Sequence, residues 1–247
     1  MKNTKHVLYD FSKRCLDVVG SVAGLLLSAP IFILASFLIS LDRGPVFFRQ
    51  ERVGHNGKMF RMLKFRTMIP DAGRMENSLR KLHAANGGYG VVGKYHDPRI
   101  TRIGSILRRT NLDELPQLLN VLKGEMSLVG PRPVPYEESL FYSDKRDNVL
   151  SVRPGLTGYW QIKRRMTTDY SERIALDCYY VKNRNLLLDT RILFTTPIAM
   201  LTSDYNSLTK PLPPLDTDIF ISEVASIDTQ SSQRIEHLEE EVQAVSI

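Results

Sequence analysis

Val18 to Leu41 contains no charged residue. That run constrains the fold more than any other stretch, because its length reaches the roughly 20 residues needed to cross a bilayer. A cleaved signal peptide fits poorly. The run exceeds the usual apolar region of about 15 residues, and no small-x-small cleavage site follows. Basic residues flank both ends, with Lys2, Lys5, Lys13 and Arg14 before and Arg43, Arg49, Arg52 and Lys58 after. Basic flanks prefer the cytoplasm, and here neither flank is the obvious loser. Two readings stay open on these residues: a simple spanning helix, and a re-entrant helix that enters and leaves on one face. Pro30, mid-run, removes a helical hydrogen bond and predicts a kink, with Ser28 placed to repair the freed backbone groups.

The rest of the chain is basic. The formal charge is +6, yet Pro211 to the end holds one Arg against eight acids, which leaves +13 on residues 1–210. Such a body suits an anionic partner: nucleic acid, anionic lipid or a phosphorylated substrate. The apolar run argues against nucleic acid. Cys15 and Cys178 are too few for a disulfide framework or a cysteine-based zinc site. The five histidines lack HExxH spacing, and no GxxxxGK[ST] phosphate loop occurs.

Val46–Val53 and Met59–Met68 read as strands joined by a turn centred on Asn56-Gly57. The second strand carries Arg61, Lys64 and Arg66, either as a solvated face or as phosphate ligands. Pro70-Asp71 opens a polar helix to about Ala85, and Asn86-Gly87-Gly88-Tyr89-Gly90 breaks it into a loop. After Asp97-Pro98, Ile100, Ile103 and Leu107 form one apolar face beside Arg99, Arg102, Arg108 and Arg109.

Chemistry concentrates at Asn111-Leu112-Asp113-Glu114-Leu115-Pro116-Gln117 and at Gly130-Pro131-Arg132-Pro133. Asn111 with Glu114 resembles a capping box, so capping competes with catalysis as the reason for these acids. Pro116 is tolerated only in a first helical turn, which places Asp113 and Glu114 at or beside a helix N-terminus. Adjacent carboxylates with substrate phosphates are an ordinary Mg2+ site. A carboxylate can also attack phosphorus and split one hard step into two. Pro131 and Pro133 stiffen the backbone around the fork-shaped cation of Arg132; a rigid connector is the alternative.

These pieces together resemble the bacterial sugar transferases, the monotopic phosphoglycosyl transferases acting on polyprenol phosphate. The resemblance rests on Lys13-Arg14 with Asp17, Gly44-Pro45-Val46-Phe47-Phe48 with Gln50, and Lys64-Phe65-Arg66-Thr67-Met68. It continues through Asp97-Pro98-Arg99, Arg108 to Gln117, Lys123 to Pro133, and Arg153-Pro154-Gly155-Leu156-Thr157-Gly158 with Trp160-Gln161, and so covers residues 13 to about 203.

The resemblance implies a Mg2+-dependent reaction in two steps. Asp113 is the expected nucleophile on a UDP-sugar, a hexose such as glucose or galactose, with release of UMP. Undecaprenyl phosphate is the expected acceptor, in exopolysaccharide, capsule or O-antigen synthesis. Glu114 is the expected dyad partner, and both acids are expected metal ligands. Lys64, Arg66, Arg108 and Arg132, with Pro131 and Pro133, match the substrate-binding positions.

The family's helix breaks at Ser-Pro, where this chain has Ala29-Pro30 after Ser28; re-entry is the expectation that follows. The fold expected is α+β: a re-entrant membrane helix over residues 1–43, a small mixed catalytic domain over 44–205 with interfacial amphipathic helices, and an acidic linker with a short helix over 206–247. The setting expected is the bacterial cytoplasmic membrane, with the catalytic domain on its cytoplasmic face. Ile235, Leu238, Val242 and Val245 repeat at heptad spacing, which leaves a homo-oligomer or docking helix open beside a merely frayed one. The competing function is a non-catalytic membrane scaffold for glycan assembly.

Further along, Leu156–Ile162 reads as strand or loop, Tyr170–Asn183 as helix, and Leu186–Leu201 as an apolar interfacial helix broken near Pro197.

Overall fold

The computed structural model describes residues 4–70, 72–73, 99–163 and 170–201. The expectations for a polar helix to Ala85, the 86–90 loop, Asp97-Pro98, Arg164-Arg165 and the acidic tail with its short helix lie mostly or wholly outside those residues.

The apolar run belongs to one long helix, α1, Thr4–Ser40. Its stretch Val7–Ser40 is apolar and long enough to cross a membrane, and only 11% of its most apolar window is buried by protein. A core helix of a water-soluble protein would be covered; here Leu26, Leu27, Ile33 and Phe37 are exposed. At 1.5 Å per residue these 34 residues extend about 50 Å, more than the ~30 Å hydrocarbon core. Pro30 lies inside the helix rather than ending it. Ser28 does not repair the carbonyl that Pro30 orphans, which is that of Leu26 four residues back. Its hydroxyl donates instead to Gly24 O at 2.6 Å, the ordinary back-bond of a helical serine.

After α1 the chain forms a hairpin, β1 Phe47–Val53 and β2 Met59–Phe65. A five-residue connection cannot make a parallel crossover. The reversal uses Asn56 at φ 55 and Gly57 at φ 76. The second strand is shorter than its sequence pattern suggested. Arg66 N still donates to Val46 O, but Met68 makes only an isolated bridge to Ile100.

Next come α2 Arg102–Thr110, α3 Gln117–Lys123, β3 Ser127–Val129, α4 Tyr136–Leu140, α5 Arg146–Leu150, β4 Gly155–Thr157, α6 Tyr159–Lys163, α7 Tyr170–Asn183 and α8 Leu186–Leu201. The Leu156–Ile162 stretch is thus divided between a strand and a helix. Helix α8 passes through Pro197 unbroken. The fold is mixed, mostly helical with two small two-stranded sheets.

The chain divides into two compact units. One contains residues 18–50 and 61–123. Its core joins Ala35 and Ile39 of α1, Phe65 of β2 and Leu107 of α2, with Phe32, Val46, Ile103, Leu112 and Leu115 packed around them. Phe65 holds Phe32 and Phe47 at ring separations of 4.8 and 5.7 Å. Gly104 has no room for a side chain, because a Cβ there would fall 2.0 Å from Thr67 O.

The other unit contains residues 1–17, 51–60 and 124–247. Its short sheet pairs β3 with β4 in parallel, Ser127 opposite Gly155 and Val129 opposite Thr157. Beside it Val134, Tyr142, Val149, Ile174 and Cys178 form an apolar cluster. The first turns of α1 are fastened here by polar groups. Asp17 accepts from Ser127 Oγ at 2.9 Å and Leu128 N at 2.8 Å. Lys13 reaches Asp189 of α8 at 2.9 Å, and the same carboxylate accepts from Tyr9 and Tyr180.

Candidate active site

Helix α2 is capped at its start by Thr101, whose hydroxyl accepts from Gly104 N at 2.9 Å. It ends at Asn111, which adopts the left-handed conformation at φ 56 and bonds back to Arg108 O. The capping-box expectation for Asn111 and Glu114 is therefore overturned. An N-cap needs extended backbone, and Asn111 closes one helix instead of opening the next. No side-chain cap bond forms at the following turn.

That turn is a single 3₁₀ element, Leu112–Glu114, ahead of Pro116 and α3. Leu112 and Leu115 anchor it in the core with Ala35 and Ile39. Asp113 and Glu114 are thus held half-buried between two apolar anchors. Three residues per turn set neighbouring side chains about 120° apart, so the two acids face different surroundings. Glu114 Oε1 accepts from Lys64 Nζ at 2.8 Å, with both side chains about one-fifth exposed.

Lys64 is placed by a residue that no motif in the sequence singles out. Asn120 on α3 is fully buried. Its Oδ1 accepts from Leu63 N at 3.0 Å and its Nδ2 donates to Arg61 O at 2.9 Å, so it pairs with β2 as a further strand would. The available signal was one amide among Leu118, Leu119, Val121 and Leu122.

Arg108, in the last turn of α2, donates from Nε to Thr67 Oγ1 at 2.8 Å. Arg66 is buried. One of its terminal nitrogens donates to Ile39 O at 3.0 Å near the end of α1, and the other, Nη1, has no hydrogen-bond partner among the described residues. Lys64, Arg66, Arg108, Asp113 and Glu114 all belong to the unit that carries the exposed apolar part of α1.

Pro131, Arg132 and Pro133 belong to the other unit. There the backbone is clamped on both sides. Gly155 N donates to Pro131 O at 2.8 Å and Val53 N to Val134 O at 2.9 Å. The crossing before the loop demands glycine, since a Cβ on Gly155 would lie 2.1 Å from Gly130 N. Pro131 and Pro133 are buried and Arg132 is half-buried, with all peptide bonds trans.

Among the described residues no three His, Cys, Asp or Glu side chains gather, so an all-protein metal cage is absent there. Asp113 and Glu114 carry the hard oxygen donors that Mg2+ takes, with Glu114 shared with Lys64.

The bacterial sugar transferase family model matches residues 8–203. The chain is 44% identical over 188 residues to the exopolysaccharide production protein ExoY of Sinorhizobium fredii, covering 75% of this chain and 83% of that one. It is 42% identical to an undecaprenyl-phosphate galactose phosphotransferase of Salmonella typhimurium and 43% identical to a UDP-galactose-lipid carrier transferase of Erwinia amylovora. The first of these matches covers 78% of this chain and the second 75%, but only 41% and 39% of those longer proteins. With an acid turn, its lysine and an uncovered apolar helix in one compact unit, and with most of its length matched, the chain belongs to the bacterial sugar transferase family.

Proposed function

We propose that this protein moves a sugar-1-phosphate from a UDP-hexose to undecaprenyl phosphate at the cytoplasmic face of the bacterial cytoplasmic membrane, in the assembly of an exopolysaccharide or related glycan. What carries the reading is one packing arrangement. Leu112 and Leu115, which bracket Asp113 and Glu114, sit against Ala35 and Ile39 of the membrane helix. On this reading the carboxylates lie at the end of a helix whose exposed apolar surface would meet lipid, where a polyprenol-bound acceptor would be reached. Transfer to a lipid carrier is also what the names of two relatives describe.

In the first step a carboxylate oxygen of Asp113 attacks the sugar-linked phosphorus. The bond from that phosphorus to the bridging oxygen of the diphosphate breaks, and UMP leaves with the electron pair. In the second step a phosphate oxygen of undecaprenyl phosphate attacks the same phosphorus, the bond to Asp113 breaks, and an undecaprenyl diphosphate sugar forms.

The cations solve the repulsion between an anionic nucleophile and an anionic substrate. Lys64 holds Glu114 in place, and Arg66 and Arg108 of the same unit are assigned to phosphate oxygens. Asp113 and Glu114 would hold a Mg2+, which would supply charge neutralisation for the phosphates. Helix α1 serves as the membrane anchor, re-entrant on the cytoplasmic side.

The test uses UDP-sugar labelled at the sugar phosphate, without acceptor. Label bound to the protein is expected, and Asp113→Asn should abolish it. UMP release should also fall by at least about a thousandfold in that variant, with membrane association intact. Turnover persisting in Asp113→Asn, or label retained by it, removes Asp113 as nucleophile.

A further inference from the structure

Lys64 matches a substrate-binding position in the sequence, yet its ammonium is bonded to an acid. Nζ donates to Glu114 Oε1 at 2.8 Å, within one compact unit. The two side chains are only 19% and 22% exposed, so water and salt weaken the pair less than they would a surface pair. Neither backbone is loose. Leu63 N, one residue before the lysine, donates to Asn120 Oδ1, and Arg61 O accepts from Asn120 Nδ2. Glu114 ends a 3₁₀ turn whose flanking Leu112 and Leu115 pack on the apolar cluster of Ala35, Ile39, Phe65 and Leu107. The part left to move is the flexible stem of the lysine.

That ammonium competes for an oxygen that a divalent ion also takes. Mg2+ binds oxygens at about 2.0–2.1 Å and uses one or two carboxylates together with substrate phosphates. A lysine nitrogen in hydrogen-bond contact with one of those oxygens repels the ion and leaves the carboxylate partly neutralised. Among the described residues no third His, Cys, Asp or Glu joins Asp113 and Glu114 to outweigh the lysine. A nucleotide diphosphate alters the balance in two ways. Its oxygens complete the shell of the ion, and they offer the ammonium another anion.

We propose that Lys64 and the divalent ion are alternative partners of Glu114, and that Lys64 passes from the carboxylate to a phosphate oxygen of the nucleotide when the ion takes its place. This rests on the assignment of Asp113 and Glu114 to Mg2+ given above. Ion and nucleotide then assist one another. The ion frees the ammonium for phosphate, and the nucleotide draws the ammonium off the carboxylate. Such coupling is reciprocal, so each ligand reports it in the affinity of the other.

The experiment measures binding to the full chain in lipid nanodiscs, with Mn2+ as the ion and UDP as the nucleotide. Free Mn2+ is counted by electron paramagnetic resonance, corrected for what UDP itself holds, and UDP binding is followed by calorimetry. Without UDP, Lys64→Met should bind Mn2+ on the order of tenfold more tightly than wild type, and Lys64→Arg should not. In wild type, UDP should tighten Mn2+ binding by about 5- to 150-fold, and Lys64→Met should show a factor roughly tenfold smaller. Glu114→Gln releases the ammonium from its carboxylate and should bind UDP without Mn2+ more tightly than wild type. A lysine that only braces the turn predicts the opposite, weaker ion binding on its removal. Wild-type or weaker Mn2+ affinity in Lys64→Met therefore overturns the proposal. If that variant does not fold, Glu114→Gln decides, and UDP binding no tighter than that of wild type overturns it. Wild type that binds no Mn2+ even with UDP present overturns the assignment of the two acids to a metal together with the inference. Wild type whose Mn2+ binding UDP strengthens, with Lys64→Met behaving identically, overturns the inference alone.

Discussion

Asn120 shows how much one side chain decides here. It occupies the buried face of a short helix among leucines and a valine, where an amide is expensive unless both ends are bonded. Both ends are bonded, to Leu63 N and Arg61 O, and the residue after Leu63 is the lysine that holds Glu114. Asn120→Ala removes both of these bonds to the partly buried backbone of β2. The expected loss is about 0.5–1.5 kcal/mol for each bond, together with slower UMP release as Lys64 drifts from Glu114. Asn120→Asp keeps the acceptor for Leu63 N but turns a lone pair toward Arg61 O, and it should be no better than alanine. Urea midpoints with parallel rate measurements check this. A fully active and fully stable Asn120→Ala would show that β2 needs no help from α3.

At the level of elements, the first turns of α1 are held within their own unit by two carboxylates, Asp17 on α1 and Asp189 on α8. Asp189 of α8 is 3% exposed and receives Lys13. Asp189→Asn keeps the shape and the tyrosine bonds but strands the lysine charge, at an expected cost of about 3 kcal/mol, or roughly 6–12 °C in melting temperature. Adding Lys13→Met should recover most of that loss, because it removes the stranded charge. Calorimetry of the two variants distinguishes this from simple damage to α8, which the second substitution could not repair.

Sequence legibility also divides by element. The hairpin was readable because Asn56-Gly57 is a pair that adopts positive φ at little cost. The apolar face of α2 was readable from Ile103 and Leu107 at helical spacing. Asn111 was misread because asparagine suits an N-cap and a left-handed C-cap about equally; only the packing of Leu112 and Leu115 on α1 chooses. The three-residue strands β3 and β4 are too short to show alternation, and the close approach of Gly130 to Gly155 joins residues distant in sequence. In the candidate site, the acids and cations were legible from motif, whereas Asn120 showed only as an amide among leucines and a valine, its partners on β2 lying 57 and 59 residues away.

For the molecule as a whole, the question is which solvent its apolar surface meets. Leu27 of α1 is 83% exposed, and Leu187 and Phe194 of α8 are 80% and 75% exposed. A water-facing site that open tolerates lysine within about 0.5 kcal/mol. A site facing the hydrocarbon centre charges about 2.5–3.5 kcal/mol for the same change. Leu27→Lys therefore tests the environment directly. It is expected to reduce the fraction that pellets with membranes after carbonate washing, by roughly tenfold or more on that energy scale. Glu137→Lys, on the exposed face of α4, adds a positive charge at a polar site and should leave the pelleted fraction unchanged. If Leu27→Lys pelleted as wild type does, or if wild type did not pellet, the bilayer would be lost from the account. The acid turn at 112–115 would then have to meet its acceptor in water, and the packing of that turn on α1 would need another reason.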